Sequence, residues 1–232
     1  MDITQFRYSS DNLGYLIYNN STAMVVDGGA TEEIIEFMDK NGLNLEYVTN
    51  THNHMDHTVG NNEILKNSNA LFLDFESLLK KRSVPIGDQV INVYHTPGHT
   101  RDSVVFHFDN ILITGDTLFI GKVGRCFSND LRGFLQSIGF IMKLPDETII
   151  YPGHDYVEEY MDFVKKLEPD NEDIDGVLAR YNPGHVYSTL KEEKKIDPFL
   201  RINEGKIISI LKEKGLRTDT EFERWKSIMS LM

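Results

Sequence analysis

The segment THNHMDH, residues 51–57, places four side chains that can bind metals within six positions, directly after the apolar run LEYVT. In an extended backbone, alternate side chains point to the same face, so His52 and His54 can bind one ion together. Asp56 and His57 follow where the chain is expected to turn, and they can reach a second ion beside the first. The segment therefore predicts half of a two-metal site.

Three further donors stand alone, each directly after an apolar stretch: His99 in TPGHT, Asp116 in ITGDTLF and His154 in YPGHDY. Functional side chains concentrate in loops at strand ends, where a rigid strand positions them and the loop stays accessible. The five imidazoles and two carboxylates form a nitrogen and oxygen donor set that suits zinc, iron or manganese. Seven donors are too many for one ion and fit two ions that share a bridging carboxylate and a bridging water. The remaining histidines are interpreted as structural: His95, His107 and His185.

The elements that position these donors alternate along the chain. Residues 6–29 are rich in aromatic and β-branched residues broken by turn signals, which predicts strands. TEEIIEFMDKNG predicts a helix with Thr31 as N-cap and Gly42 just past its end. Further strands are predicted in LEYVTN, ALFLD, QVINVYHT, VVFHF, NILITGD and ETIIYPGHD, and helices at about 130–143 and 156–167. Beyond about residue 165 the pattern is charged and mostly helical, which predicts a small C-terminal domain.

Composition limits the possible functions. The chain has 232 residues and 40% hydrophobic residues, which suffices for a real core. Its 24 basic and 36 acidic residues give a net charge of −12, which argues against a nucleic-acid partner; a small anionic substrate would need a local basic pocket. No stretch approaches the roughly 20 apolar residues of a membrane span, so we expect no membrane association and a cytoplasmic location. Because Cys126 is the only cysteine, a thiolate-rich zinc site is excluded.

THNHMDH, TPGHT, GDTLF and YPGHD, in this order and at these separations, resemble the metallo-β-lactamase superfamily. The resemblance implies an α/β fold, a four-layer αββα sandwich with a dinuclear metal site, here over residues 1–165. VYSTLKEEKKIDPFLR, residues 186–201, resembles a segment of glyoxalase II, the hydroxyacylglutathione hydrolases. This second resemblance implies that residues 166–232 form a helical substrate-binding domain.

Carried over by motif, the resemblance assigns a role to each donor. One ion would be bound by His52, His54 and His99. A second would be bound by Asp56, His57 and His154, with Asp116 bridging the two. Asp56 and Asp116 are also assigned catalytic roles. Thr51, Thr96 and Asp27 are predicted to orient the metal-binding imidazoles through hydrogen bonds.

The resemblance also implies the reaction, which is hydrolysis of S-lactoylglutathione, a 2-hydroxyacylglutathione, to glutathione and the 2-hydroxy acid. Two divalent ions, with zinc preferred and iron or manganese as alternatives, lower the pKa of a bridging water from about 15.7 toward roughly 7. The resulting hydroxide would attack the thioester carbonyl. The leaving thiol has a pKa of about 8.5, so its thiolate departs with little help from an acid.

The predicted glutathione pocket matches the family unevenly. Arg125, Tyr156 and Lys226 fit basic and tyrosine positions of glyoxalase II, and Phe127 stands where the family has a tyrosine. Glu223 stands where an arginine is expected, so a repulsion of the substrate carboxylate and a high KM are predicted. Arg224 follows it, but one residue rotates a helical side chain by about 100°, so a simple replacement is excluded.

Three alternatives remain open at this stage. VGRCFSN shares Gly124 and Arg125 with a segment of the persulfide dioxygenases, relatives that use a single iron ion. A thioesterase acting on a thiol other than glutathione would use the same metal site. A binding protein that has lost catalysis is disfavoured because all seven donor types are present.

Overall fold

Two β-sheets occupy the centre of the computed structural model, which describes residues 1–232. The first sheet has five strands in spatial order β1-β2-β3-β4-β5: Asp2–Tyr8, Asn12–Asn19, Thr22–Val26, Asn44–Thr49 and Leu71–Leu73. Its first three strands are antiparallel, and β3, β4 and β5 are parallel. The parallel part brings the ends of β3 and β4 to one edge of the sheet, and the histidine-rich segment begins there.

The second sheet has six strands in the order β11-β10-β9-β8-β7-β6. From β6 to β11 they are Ser83–Ile86, Gln89–His95, Val104–Phe108, Ile111–Gly115, Ile149–Pro152 and Ser188–Thr189. β9 and β10 are parallel, and every other neighbouring pair is antiparallel. The loops that follow β9 and β10 therefore leave the sheet at the same edge.

Ten helices flank the sheets. From α1 to α10 they are Thr31–Asn41, Met55–Thr58, Asn61–Lys66, Phe75–Lys81, Leu131–Ile141, Val157–Leu167, Asp173–Arg180, Leu190–Ile196, Gly205–Glu213 and Glu221–Met229. None of them is both long enough and apolar enough to cross a membrane. α1 ends as predicted at Gly42, which adopts the left-handed conformation. The predicted start is wrong by one residue, because Thr31 is the first helical residue and Ala30 occupies the cap position without a side-chain hydrogen bond.

The layers follow from alternation along the strands. In β2, Leu13, Tyr15 and Ile17 lie in the core between the two sheets, and Leu16 faces the opposite side, where Ile34 of α1 packs. β8 alternates in the same way and turns Val105 toward α5. The order of layers is helix, sheet, sheet, helix, so the expected αββα sandwich is confirmed.

The last helices pack onto α5 of the sandwich. Trp225 of α10 and Phe199 are both buried, and the ring of Phe134 from α5 meets Trp225 edge-on with 5.6 Å between centroids. Thr189 and Glu192 form a reciprocal capping box that starts α8. The helical C-terminal part is thus present as expected, and β11 within it joins the second sheet. The division between residues 165 and 166 stays a prediction.

Candidate metal centre

All seven predicted donors lie at one edge of the sandwich. His52 and His54 are in the loop after β4, where His54 is the N-cap of α2, and Asp56 and His57 lie on that short helix. The other three follow strands of the second sheet: His99 comes after β7, Asp116 after β9 and His154 after β10. Four donors thus follow a strand of the first sheet, and three follow strands of the second sheet.

The first group of donors contains His52, His54, His99 and Asp116. Nδ1 of His54 lies 2.9 Å from Nε2 of His52 and 3.0 Å from Nε2 of His99. Oδ2 of Asp116 lies 3.4 Å from Nε2 of His99. Zinc–nitrogen distances of about 2.0–2.1 Å place neighbouring donors of a tetrahedral ion about 3.4 Å apart. The spacing of these atoms therefore fits a single ion at their centre.

The second group contains Asp56, His57 and His154. Nε2 of His57 lies 3.2 Å from Nε2 of His154, and Oδ2 of Asp56 lies 3.6 Å and 3.4 Å from these two atoms. Asp116 reaches this group as well, with Oδ1 at 3.4 Å from His57 and Oδ2 at 3.5 Å from His154. Its buried Oδ1 accepts no hydrogen bond. A buried carboxylate oxygen without a donor, placed between two groups of ligands, fits a dinuclear metal site.

The charges in the cluster favour cation binding. Burial, aided by the neighbouring His57, lowers the pKa of His52 to about 2, and burial also lowers the pKa of His99. Both imidazoles are therefore neutral near pH 7, which is the form that binds metals. Burial alone would raise the pKa of Asp116, but the contacts with His57 outweigh it and bring the pKa below its usual value, so the carboxylate is ionised.

The surroundings of His57 favour a positive charge on its ring. Its burial acts to lower the pKa, yet the carboxylates of Asp27 and Asp116 raise it well above the usual value. Asp27 Oδ2 lies 3.0 Å from Nδ1 of His57, and Asp116 lies on the Nε2 side. The carboxylates that hold a proton on this ring would equally stabilise a metal cation at Nε2.

Two of the three predicted orienting residues contact imidazoles. Asp27 accepts hydrogen bonds from the backbone N–H and the hydroxyl of Thr51, at 2.8 Å and 2.7 Å, and it also contacts His57. The hydroxyl of Thr51 lies 3.1 Å from Nδ1 of His52. Thr96 was predicted wrongly, because its hydroxyl pairs with that of Thr117 instead.

The sequence did not identify the partners of the other ligands. Nδ1 of His99 lies 2.9 Å from the carbonyl oxygen of Arg125, which a sequence pattern cannot indicate. Asp11 contacts His154, and the side-chain amide of Asn12 donates a 2.9 Å hydrogen bond to Asp56. Both residues belong to SSDN, which was interpreted as a turn signal alone. SSDN does form a turn, and the side chains of Asp11 and Asn12 also contact His154 and Asp56 of the second donor group.

Close packing around Asp116 leaves room only for glycine at two neighbouring positions. A Cβ at Gly153 would come within 2.3 Å of Oδ1 of Asp116, and one at Gly124 within 1.9 Å of its backbone oxygen. Such distances are too short for any real contact. The YPGHD and VGRC segments therefore need their glycines so that Asp116 can lie between the two groups.

The residues predicted to bind substrate form two pairs, one against the imidazoles and one in a groove. The ring of Phe127 is 56% exposed and lies 5.6 Å and 5.3 Å from the rings of His54 and His99. Tyr156 stacks on His154 with 4.9 Å between centroids, and burial raises the pKa of its hydroxyl. Arg125 and Lys226 line one groove of about 330 Å³. Phe127 thus contacts the first donor group, Tyr156 contacts the second, and the roles of all four residues as substrate contacts stay predictions.

The two charged residues of α10 differ in orientation. Glu223 is ion-paired with Arg217, a partner that the sequence did not suggest. Arg224 points elsewhere: its guanidinium donates to the carbonyl oxygen of Thr218 at 2.9 Å and to Oδ1 of Asn203 at 2.5 Å. Arg224 therefore does not replace the missing arginine, as the rotation of one helical residue indicated.

The other histidines lie outside both donor groups. Nε2 of His95 lies 2.8 Å from the carbonyl oxygen of Arg101, and Nε2 of His185 lies 3.0 Å from the hydroxyl of Tyr151. His107 sits within β8, and partial burial lowers its pKa. Their contacts agree with a structural interpretation.

Comparisons with known proteins give the family. The profile of the Metallo-beta-lactamase superfamily matches residues 12–71 and 75–154, and that of the Hydroxyacylglutathione hydrolase C-terminus matches residues 155–228. The hydroxyacylglutathione hydrolase of Crocosphaera subtropica is 34% identical over 230 residues, covering 87% of this chain and 89% of that protein. Hydroxyacylglutathione hydrolase 1 of Vibrio vulnificus is 33% identical, covering 88% of each.

A solved structure supports the fold independently. The crystal structure of ETHE1 from Myxococcus xanthus matches with a TM-score of 0.66 at 22% identity, covering 99% of this chain and 90% of that chain. A sequence identity of 22% supports a shared fold and no conclusion about function. Together with the two profiles and the curated relatives, the site geometry leads to one conclusion: the chain belongs to the metallo-beta-lactamase superfamily and, within it, to the hydroxyacylglutathione hydrolase family.

Proposed function

We propose that this protein is a metal-dependent thioester hydrolase that converts S-lactoylglutathione, or a related 2-hydroxyacylglutathione, to glutathione and the 2-hydroxy acid. The observation that carries the proposal is the pair of donor groups sharing Asp116, beside a groove that contains Arg125 and Lys226. The names of the curated relatives support the same reaction. The groove supplies the local positive charge that an anionic substrate needs on a chain of net charge −12.

His52, His54 and His99 would hold one ion, and Asp56, His57 and His154 the other, with Asp116 shared. The nitrogen-rich donor set and the spacing of its atoms make zinc our first choice, with iron or manganese as alternatives. When bound, two such ions supply an acidified water and polarise a carbonyl group.

The chain's own residues position the substrate. Phe127 lies against the rings of His54 and His99, where its half-exposed ring can contact a substrate bound at the centre. Tyr156 is protonated at neutral pH, as an ordinary tyrosine with a pKa of about 10 is, and burial raises its pKa further, so its hydroxyl can donate a hydrogen bond to the thioester. No residue has to protonate the leaving sulfur, because a thiol pKa of about 8.5 makes the thiolate a good leaving group.

The C-terminal part argues against the mononuclear iron alternative. Residues 155–228 match the profile of the Hydroxyacylglutathione hydrolase C-terminus, which favours the hydrolase over a persulfide dioxygenase. A thioesterase that acts on another thiol would have the same metal site and would differ only in the residues that line the groove. The basic residues there favour an anionic thiol such as glutathione.

Metal analysis combined with turnover tests the proposal. The purified protein should hold two metal ions per chain and hydrolyse S-lactoylglutathione, and chelation should abolish the activity until zinc, iron or manganese is returned. One iron per chain with oxygen consumption on glutathione persulfide would instead identify a dioxygenase. Hydrolysis of N-acetylcysteamine thioesters as fast as S-lactoylglutathione would identify a thioesterase without glutathione selectivity.

A further inference from the structure

A short hairpin, residues 117–124, connects two parts of the metal centre. It directly follows Asp116, whose carboxylate contacts both donor groups. It directly precedes Arg125, whose carbonyl oxygen lies 2.9 Å from Nδ1 of His99. A shift of the hairpin would therefore displace the shared carboxylate and the hydrogen-bond partner of an imidazole together.

Internal backbone contacts make the hairpin one unit. Leu118 and Val123 pair as an antiparallel bridge. The backbone N–H of Phe119 donates a 2.8 Å hydrogen bond to the carbonyl oxygen of Lys122. The position of the tip, residues 119–122, therefore affects both ends of the hairpin.

Side chains of α6 and α8 hold this tip. The backbone N–H of Gly121 donates a 2.7 Å hydrogen bond to Oε2 of Glu193 in α8, and both residues are buried. Nζ of Lys122 lies 4.5 Å and 4.8 Å from the ring centroids of Tyr160 and Phe163 in α6. A buried N–H has to be paired, and the carboxyl group of Glu193 provides the partner from a part of the chain 72 residues away.

Glu193 stands at a core position of α8. The buried residues of this helix are Leu190, Glu193 and Ile196, which lie three residues apart on one face. Burying a carboxyl group costs free energy unless its oxygens are paired, and Oε1 of Glu193 has no hydrogen-bond partner. Since an apolar residue would pack here at lower cost, the hydrogen bond from Gly121 gives the reason for an acid at this position.

We propose that Glu193 is a positioning residue for the metal centre, which fixes the tip of the 117–124 hairpin and thereby places Asp116 and the carbonyl oxygen of Arg125. The C-terminal helices then maintain the geometry of donors that lie in the sandwich, in addition to any contact with the substrate. The proposal concerns the binding of the two ions and does not depend on which thioester is hydrolysed.

Two substitutions of Glu193 separate the hydrogen bond from the charge. Glu193→Gln keeps a side-chain oxygen that can accept from the N–H of Gly121. It also matches the charge of the native group near pH 7, because burial, with Asp197 adding to it, raises the pKa of Glu193 to about 8. Glu193→Met keeps an unbranched side chain of similar length and removes the acceptor, which leaves the N–H of Gly121 unpaired.

The experiment uses the full chain loaded with metal. Competition between the protein and a chromophoric chelator gives the affinities for zinc, and the visible absorption spectrum of the cobalt-loaded protein reports the geometry of the ligands. Glu193→Met should weaken zinc binding by roughly tenfold, the lower end of the range for residues that support metal ligands. It should also change the cobalt spectrum, whereas Glu193→Gln should match the wild type in both measurements. A loss of stability alone would leave the spectrum of the folded protein unchanged.

Ile196→Val is the matched control. Ile196 is buried on the same face of α8, so the loss of one methyl group weakens the packing of this helix and leaves the N–H of Gly121 paired. We expect wild-type zinc affinity. Lys122→Gln is a second test that leaves Glu193 intact: it removes the cation from the two rings of α6 and should weaken zinc binding by roughly threefold. This variant decides the outcome if Glu193→Met does not fold.

The proposal is overturned if Glu193→Met keeps the wild-type zinc affinity or the wild-type cobalt spectrum. It is also overturned if Glu193→Gln or Ile196→Val loses as much affinity as Glu193→Met. Where the methionine variant is unfolded, wild-type zinc affinity of Lys122→Gln overturns it. A wild type that binds two ions but does not hydrolyse S-lactoylglutathione would refute the proposed function alone, because the zinc affinities still test the role of Glu193.

Discussion

Oδ1 of Asp11 lies 2.7 Å from Nδ1 of His154, although 143 residues separate them in the chain. The contact is reinforced by the backbone, because the N–H of Leu13 donates to the oxygen of Gly153 and the N–H of Asp155 donates to the oxygen of Asp11. A carboxylate at this position requires a proton on Nδ1, which leaves the Nε2 lone pair of His154 directed at the second donor group.

Asp11→Ala should therefore weaken the second ion and spare the first. Loss of such a supporting carboxylate typically costs 10–100-fold in metal affinity, and we expect an effect of about that size. Competition against a chromophoric chelator measures the two affinities. Asp39→Ala removes an exposed carboxylate from α1 and should leave both affinities unchanged. Equal metal affinity in the Asp11 variant and the wild type would rule out this role.

Asp116→Ala should affect both ions, because its carboxylate touches both donor groups. We expect loss of much of the bound metal and nearly all thioesterase activity, with the far-ultraviolet circular dichroism spectrum retained. His95→Ala is the control, since His95 contacts only the carbonyl oxygen of Arg101. If the histidine variant lost one equivalent of metal, or the aspartate variant kept two, the ligand assignment would be wrong.

Gly153→Ala tests whether the space around Asp116 matters. The added methyl group would come within 2.3 Å of Oδ1 of Asp116 and 3.0 Å of the His57 ring, so the carboxylate must move. We expect lower metal content and a loss of about 1–3 kcal/mol in the free energy of unfolding, as for other overpacked sites.

Gly139→Ala provides the comparison on the same chain. Gly139 lies inside α5, and a Cβ there meets nothing within 4 Å. This substitution should stabilise the protein by about 0.5–1 kcal/mol, because alanine is the better helix former. Metal content and the free energy of unfolding in denaturant are measured for both variants. If the two variants have equal metal content and equal stability, the crowding at Gly153 is relieved without cost.

Two buried acids, Glu193 in α8 and Asp197 at its C-cap, should make the stability of this protein depend on pH. Burial, with the nearby Asp197 adding to it, raises the pKa of Glu193 to about 8, and burial raises that of Asp197 to about 7. In the unfolded chain both acids lose their protons near pH 4. Their contribution to stability is therefore complete below about pH 4 and is lost as the pH rises toward 8.

Glu193→Gln removes the titration of one acid while keeping its shape. The free energy of unfolding of this variant, relative to the wild type, should increase from pH 5.5 through pH 7 to pH 8.5 in denaturant titrations of the metal-loaded protein. Glu213→Gln, at an exposed position of α9, should show a flat difference. A flat difference at Glu193 too would mean that its carboxyl group is ionised in the folded state.

The seven donor residues that the structure brings together could be identified from the sequence because each one is marked locally. A strand end followed by histidine or aspartate can be recognised within a few residues, and His52, His99 and His154 all fit this description. The contact between Asp11 and His154 has no local mark, because it exists only once the turn between β1 and β2 lies against the loop after β10. Arg217 was missed for the same reason, since only the folded α10 brings it to Glu223.

Some elements between the predicted ones were missed. α4 and β6, residues 75–86, were not predicted, because these seven- and four-residue elements show no clear period. Asp74 caps α4 through a 2.9 Å hydrogen bond from the backbone N–H of Ser77, a signal that the surrounding apolar residues obscured.

The second donor group joins Asp56 and His57 to His154, and this spacing has a consequence for biosynthesis. A growing polypeptide emerges from its N-terminus, so an early nascent chain contains only the THNHMDH half of the centre. The other half follows about a hundred residues later, with β9 and β10. Because ligands that are far apart in an unfolded chain bind a metal poorly, ion capture is coupled to closure of the second sheet. We therefore expect the second ion to bind only after residue 154 has been synthesised, and a chain released before that point would lack part of the second donor group.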